Sequence, residues 1–450
     1  MCQVIKTIKI IKKFNLMIFS FFSLGCFICL NAQADLTIHI TQGVDKPFPI
    51  MFSPMENSAS FNNSNSFLSV IKNDLTQTGQ FKIINPAGVF NQVIPVNQFP
   101  WSSWSASGIS ADYAVIGQAQ PESDGNSWDV SFQVYNVYGR TALTGKIYSH
   151  IPNNSMRLLA HQIANQIYQA ITGIPGDFDS RIAYVLVNDP TARNATYRLV
   201  ISDRDGANPH VLLKQNGDPI SSPTWSHDGK YIAYTSYVHN RMAIYSIELA
   251  TGTRTLIANF PGINSAPAYS PDGSMMAMAL SMDQSAETNI YLVNLNTKRY
   301  QKLTHTGTNT EPSFSPDGKT MAFMSNRGGT PQVYKMDLGS GAVTRLSYDG
   351  VQNFKPEFTP DSRSVVLMHQ ENSGGPIRIA VLNLASGNIQ EITQGELDKS
   401  PSLSPNGKMV IYANYDRPRG VLAESSINGQ VHLTLPATAT EGWVQSPAWS

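Results

Sequence analysis

The stretch "EPSFSPDGK", Glu311 to Lys319, decides how this chain is read, because the chain keeps rewriting it. "SPTWSHDGK" stands at 222–230, "APAYSPDGS" at 266–274, "KPEFTPDSR" at 355–363 and "SPSLSPNGK" at 400–408, and "SPAWS" at 446–450 opens a sixth copy. The leading prolines are Pro223, Pro267, Pro312, Pro356, Pro401 and Pro447, so the spacings are 44, 45, 44, 45 and 46 residues. A period in the forties marks a repeat architecture, and helical repeats share that range with propeller blades.

Local pattern separates the two. After each turn comes an alternating apolar run, such as "YIAYTS" from Tyr231, "MMAMAL" from Met275 and "TMAFMS" from Thr320. A second run follows, as in "NIYLVNL" (289–295) and "QVYKMDL" (332–338), then a shorter third such as "VTRLS" (343–347). With the stretch before the turn, each repeat holds four strands, which is one propeller blade. The Ser-Pro-Asp-Gly phrase is turn chemistry: Pro presets φ, Asp favours the next corner and Gly takes the left-handed position. It marks a hairpin tip and needs no function of its own.

Blade number follows from the runs. Second-strand runs begin near residues 182, 232, 276, 321, 365 and 410, but the run at "RIAYVLV" has no Pro-x-aromatic phrase before it. The final "SPAWS" has no successor. The expected fold is therefore mainly β, a C-terminal six-bladed β-propeller over 177–450 whose last strand completes the first blade, preceded by a small α+β domain.

That smaller domain, expected over 35–176, does not repeat. "DLTIHI" (35–40) alternates as a strand. Phe67, Ile71 and Leu75 recur at helical spacing before Gly79, and Leu159, Ile163, Ile167 and Ile171 do so before Gly173. "FKIIN", "YAVIGQAQ", "WDVSFQVYNVYG" and "TALTGKIYSH" read as strands, and "GIPGDFDS" (173–180) as the boundary.

Residues 1–34 stand apart. They hold Lys6, Lys9, Lys12 and Lys13 with no acid, an apolar run from Phe14 to Leu30, and Ala32-Gln33-Ala34. These are the parts of a secretory signal peptide, with cleavage expected between Ala34 and Asp35. The remainder has 32 − 4 = 28 basic residues against 32 acidic ones. All three cysteines (Cys2, Cys26, Cys29) lie in that segment, so the mature chain has no disulfide framework. A net charge near zero gives no nucleic-acid footprint.

Motifs for catalysis are missing: there is no G-x-S-x-G, H-E-x-x-H, G-x-G-x-x-G or P-loop. "DRDG" (203–206) is only part of a calcium loop and lacks its distal Glu, so it reads as a hairpin tip. No cofactor and no metal are expected. What remains is a surface. The pairs before the prolines, from Ser221-Ser222 through Thr310-Glu311 to Gln445-Ser446, would ring the central channel.

The join "ITGIPGDFDSRIAYV" (171–185), "SDRDGANPHVLL" (202–213), the five turns of the S-P-D-G type and the terminal "SPAWS" together resemble the TolB family, the periplasmic component of the Tol–Pal envelope system of Gram-negative bacteria. The resemblance covers the whole mature chain. It implies a non-enzymatic, periplasmic scaffold that is not membrane-embedded, supporting outer-membrane integrity and constriction during cell division. It implies two partners. The lipoprotein Pal would bind the channel mouth at Asn264, Ala266, Thr310 and Glu311, and TolA the mature N-terminus, Asp35, Leu36, Thr37, Ile38, His39 and Ile40 onward to about Gly43. Ile263 departs from the His found in many members beside that Asn. The rival readings are a propeller hydrolase or lyase with a site at the channel mouth, and a scaffold for other outer-membrane proteins.

Overall fold

The computed structural model describes residues 37–40, 46–55, 67–238, 241–282, 287–416, 419–435 and 442–450. Residues 1–34, with the expected cleavage at Ala34 and Asp35, lie outside these, as do Leu36 and 41–45.

Strand β1 (Thr37–Ile40) comes first; β2 (Phe48–Phe52), β3 (Phe81–Ile84), β4 (Tyr113–Pro121), β5 (Ser127–Asn136) and β6 (Thr141–Pro152) follow. The last five form one sheet in the order β3-β2-β4-β5-β6. Its β2 pairs in parallel with β3 and β4, while β4, β5 and β6 are antiparallel. The parallel pair needs a crossover, and helix α1 (Phe67–Gln77) supplies it. One sheet face packs against α1 and against a long helix, Met156–Thr172, through Phe132, Ile71, Leu75, Ile163 and Ile167. That long helix ends where Gly173 adopts φ 74°, the left-handed cap its sequence announces. On the opposite face Phe90 and Phe99 pack with Trp101 and Trp104 of a short helix, Trp101–Ser107. We call the short helix α2 and the long one α3.

Six antiparallel sheets follow. The first blade is completed by the chain's last strand: Trp443–Trp449 pairs with β7 (Arg181–Val187), which is followed by β8 (Thr196–Asp203) and β9 (His210–Asn216). Blades two to five run consecutively from Ile220, Asn264, Asn309 and Gln352. Blade six contains Asp398–Leu403, Met409–Asn414, Val421–Ser426 and Val431–Thr434. Six blades, with the final strand closing the ring, is the architecture read from the repeat.

Closure is made by specific side chains as well as by the ladder. Trp449 is buried, and its Nε1 donates to Ser180 Oγ at 2.7 Å. From blade two, Trp225 Nε1 donates to the Ala448 carbonyl at 3.1 Å. The Arg204 guanidinium lies over the rings of both Phe178 and Trp449, 5.0 and 5.3 Å from their centroids.

One strand sits where its sequence gives no hint. β1 is not in the amino-terminal sheet; it pairs antiparallel with Val431–Thr434, from Thr37↔Thr434 to Ile40↔Val431, and makes blade six five-stranded.

Candidate functional site: the channel ring and the added edge strand

The repeated prolines build the wall of the central channel. In each blade the innermost strand slips register at the same point, for example between Ser221 and Thr224, Ser265 and Ala268, and Thr310 and Ser313. The same slip occurs in blades five, six and one. Each slip is a bulge in which two residues face one partner, and its first residue takes the left-handed region. Those residues are Ser222, Ala266, Glu311, Lys355, Ser400 and Ser446, with φ of 49°, 50°, 55°, 50°, 56° and 48°. The position usually favours glycine, and an L-residue there costs about 1–2 kcal/mol. Proline follows in all six because a bulge leaves one N–H without a ladder partner, and proline has none to leave.

The channel that results has a volume of about 560 Å³. The sequence expects both residues before each proline at the channel. Only the second is there: Ser222, Ala266, Glu311, Lys355 and Ser400 line it, whereas Thr310 pairs with Met324 in the ladder. Two residues along, a second tier adds Thr224, Ala268, Ser313, Glu357, Ser402 and Ala448.

Charge on this wall is concentrated on one side. Glu311 Oε2 accepts the backbone N–H of Lys355 at 2.6 Å, and burial raises its carboxyl against the opposing pull of Lys355. Glu357, two residues on, accepts the Leu403 N–H at 3.2 Å. Its burial outweighs that bond and the attraction of Lys355, and pushes the carboxyl up to about 7. Glu357 is absent from the sequence-derived site, although its place in "KPEFTPDSR", where other copies carry Thr, Ala or Ser, makes it visible.

Asn264 occupies a different environment from its neighbours. It is fully buried, accepts from Phe260 N–H at 2.9 Å and donates to Phe260 O at 2.7 Å, clamping the loop that carries Ile263. Ile263 itself is exposed. Asn309, Asn353 and Asp398 hold equivalent loops: Asn309 Nδ2 donates to Gly307 O at 2.7 Å and Asn353 Nδ2 to Asp349 O at 2.7 Å. Asp398 Oδ2 accepts from Gly395 N–H at 3.2 Å. The four stand 45, 44 and 45 residues apart, the period of the prolines, so this signal too is in the sequence. Of the four channel-mouth residues, Ala266 and Glu311 reach the lumen, Thr310 is half-buried beside it, and Asn264 acts from beneath.

The second candidate element is β1. Its partner strand is the outer edge of blade six, and a sheet edge binds an added strand through unpaired backbone groups whatever its side chains. Thr37, Ile38, His39 and Ile40 are held in this way. Among the described residues no helix is long and apolar enough to cross a membrane.

Together these features define a class: a six-bladed propeller carrying an amino-terminal α+β domain, with a backbone-built ring around its channel and an extra strand on its last blade. Residues 168–450 match the family described as TolB beta propeller domain, and residues 36–143 match the TolB amino-terminal domain. The chain is 38% identical over 434 residues to the Tol-Pal system protein TolB of Francisella tularensis subsp. tularensis, covering 94% of this chain and 95% of that one. It is 36% identical over 428 residues to the protein of the same name from Acinetobacter baylyi, covering 95% and 96%. Among solved structures, TolB from Acinetobacter baumannii superposes with a TM-score of 0.79 at 36% identity, over 92% of this chain and 99% of that one. The chain belongs to the TolB family, and its role is that of a non-enzymatic scaffold of the Tol-Pal envelope system.

Proposed function

We propose that the protein works in the periplasm as a two-partner scaffold, binding Pal at the channel mouth and TolA through the mature N-terminus, and so supports outer-membrane integrity and constriction during division. In this reading residues 1–34 are removed between Ala34 and Asp35, residues 35–176 form the amino-terminal domain and 177–450 the propeller. Ala266 and Glu311 meet Pal directly, Thr310 flanks them, and Asn264 holds the loop that presents them. Asp35 to Ile40 engage TolA, with β1 (Thr37–Ile40) passing from blade six to an open sheet edge of TolA.

The observation that carries this reading is the pairing of β1 with blade six. A four-residue strand joined to a sheet edge by backbone pairing can be exchanged for another edge, because the ladder does not depend on side-chain identity. If Pal occupancy biases whether β1 stays docked, the two partners are coupled, and the coupling is reciprocal.

The test is calorimetric titration of the 35–450 chain with the soluble domain of Pal and, separately, with TolA, alongside Glu311→Ala and a variant lacking 35–43. Expected are Pal binding by the parent chain, weaker binding by Glu311→Ala, and loss of TolA binding with altered Pal affinity on deletion. Melting curves establish that each variant is folded. Deletion without effect on either partner would remove the coupling, and no Pal binding by the folded parent would remove the reading.

A further inference from the structure

Helix α3 meets the first blade at the hairpin tip 203–206, which the sequence excludes as an EF-hand loop. One turn apart on that helix, Arg157 and His161 face this tip. His161 is 3% exposed. Its Nδ1 lies 2.7 Å from Asp74 Oδ2 on α1, while its Nε2 is buried and has no hydrogen-bond partner. His161, Asp203 and Asp205 each offer a donor atom, and the three atoms lie within 4.8 Å of one another. Arg157 now spans the aspartates, with Nε donating to Asp203 Oδ2 at 3.0 Å and Nη2 to Asp205. Arg204, between them in sequence, turns the other way, toward Asp177 and Glu424 at 3.6 Å each.

The cluster is crowded with acids. Five acidic side chains (Asp74, Asp177, Asp203, Asp205, Glu424) gather here with Arg157, Arg204 and His161, and Arg181 also attracts Asp203. Buried charge of one sign is costly unless paired.

We propose that His161, Asp203 and Asp205 form a divalent-cation site of the zinc class, bridging the amino-terminal sheet domain and the first blade, with Arg157 holding the cation's place when the site is empty. An imidazole backed by a carboxylate at one nitrogen and open at the other is the usual arrangement of a metal-ligating histidine, since the carboxylate sets the tautomer and orientation. One nitrogen and two carboxylate oxygens make a three-ligand set with a fourth position for water, which suits zinc. Calcium requires 6–8 oxygen ligands and is not served by this set. With metal–ligand bonds of about 2.0–2.1 Å, tetrahedral donors stand about 3.4 Å apart, so the three atoms need close by no more than about 1.4 Å on binding. The Arg157 guanidinium must leave as the ion enters, because both bring positive charge to the same oxygens.

The site is tested by titrating the metal-stripped 35–450 chain with Zn²⁺ by calorimetry against a competing chelator, with melting temperature as a second readout. Expected is Zn²⁺ affinity that falls at least tenfold in His161→Gln and in Asp205→Asn, and rises in Arg157→Gln. Zn²⁺ should raise the melting temperature of the parent chain but not of the two ligand variants, and Ca²⁺ should not substitute. Equal Zn²⁺ affinity in the parent, His161→Gln and Asp205→Asn overturns the site, as does absence of binding in both the parent and Arg157→Gln. Unchanged or weaker affinity in Arg157→Gln overturns the competition assigned to that residue. The use of two ligand variants guards against one of them failing to fold.

Discussion

Replacing Trp449 by alanine should cost about 3–5 kcal/mol, the range for emptying a buried large aromatic site. The indole is buried among the inner strands of blades one and six, its Nε1 bonds Ser180 Oγ at 2.7 Å, and Arg204 lies 5.3 Å above its ring. Removal takes away packing, a bond across the ring's seam and one of the two aromatic faces that cover a buried guanidinium. Trp449→Phe keeps most of the packing and loses the bond, so it should cost only about 1 kcal/mol. Urea unfolding followed by far-ultraviolet circular dichroism reads both, and the alanine variant should unfold at clearly lower denaturant with the phenylalanine variant between it and the parent. The half-buried Trp443, stacked on Tyr415 with centroids 6.2 Å apart, is the control and should cost less than Trp449. A Trp449→Ala cost below about 1 kcal/mol would refute the claim that the last residues hold the ring shut.

The loop clamps give a second expectation. Asn264→Ala leaves the Phe260 backbone groups unpartnered and should cost about 2 kcal/mol, with Asn309→Ala similar because it does the same work one blade on; chemical denaturation measures both. Glu357 gives a pH dependence. Its folded carboxyl titrates near 7 against an ordinary 4.5, so the native state holds a proton that the unfolded chain releases. Its unfavourable contribution is absent below about pH 4.5, grows as pH rises and is complete above 7. Melting temperatures should therefore show Glu357→Gln gaining on the parent between pH 5 and pH 8, and a constant difference across that range would contradict the assignment.

Much of the propeller is legible because every blade solves the same local problem. Each needs one tight hairpin, one bulge and alternating strands, so the solution repeats in the letters with a measurable period. The same logic would expose Asn264, Asn309, Asn353 and Asp398, which recur with it. Other parts are hidden for physical reasons. β2 ("FPIMF") is a central strand buried on both faces and shows no alternation, and Ser-rich α2 has weak helical preference. For β1 the alternation tells that a strand exists but not which edge takes it, since backbone pairing is indifferent to side chains. The ion-pair cluster around Arg204 joins residues from 74 to 424, and no local pattern links them.

The seam between first and last strands also sets a timetable. Trp449 meets Ser180 across 269 positions of chain, and Trp225 meets the Ala448 carbonyl across 223. A polypeptide delivered amino-terminal end first lays down five complete blades before the strand that finishes the first one arrives. Until then β7 presents a bare inner edge, and blade six, whose outer strand Val431–Thr434 takes β1, is itself finished only just before that closing strand. Strand β1 must therefore wait, without its blade-six partner and available to other sheets, for nearly the whole of synthesis.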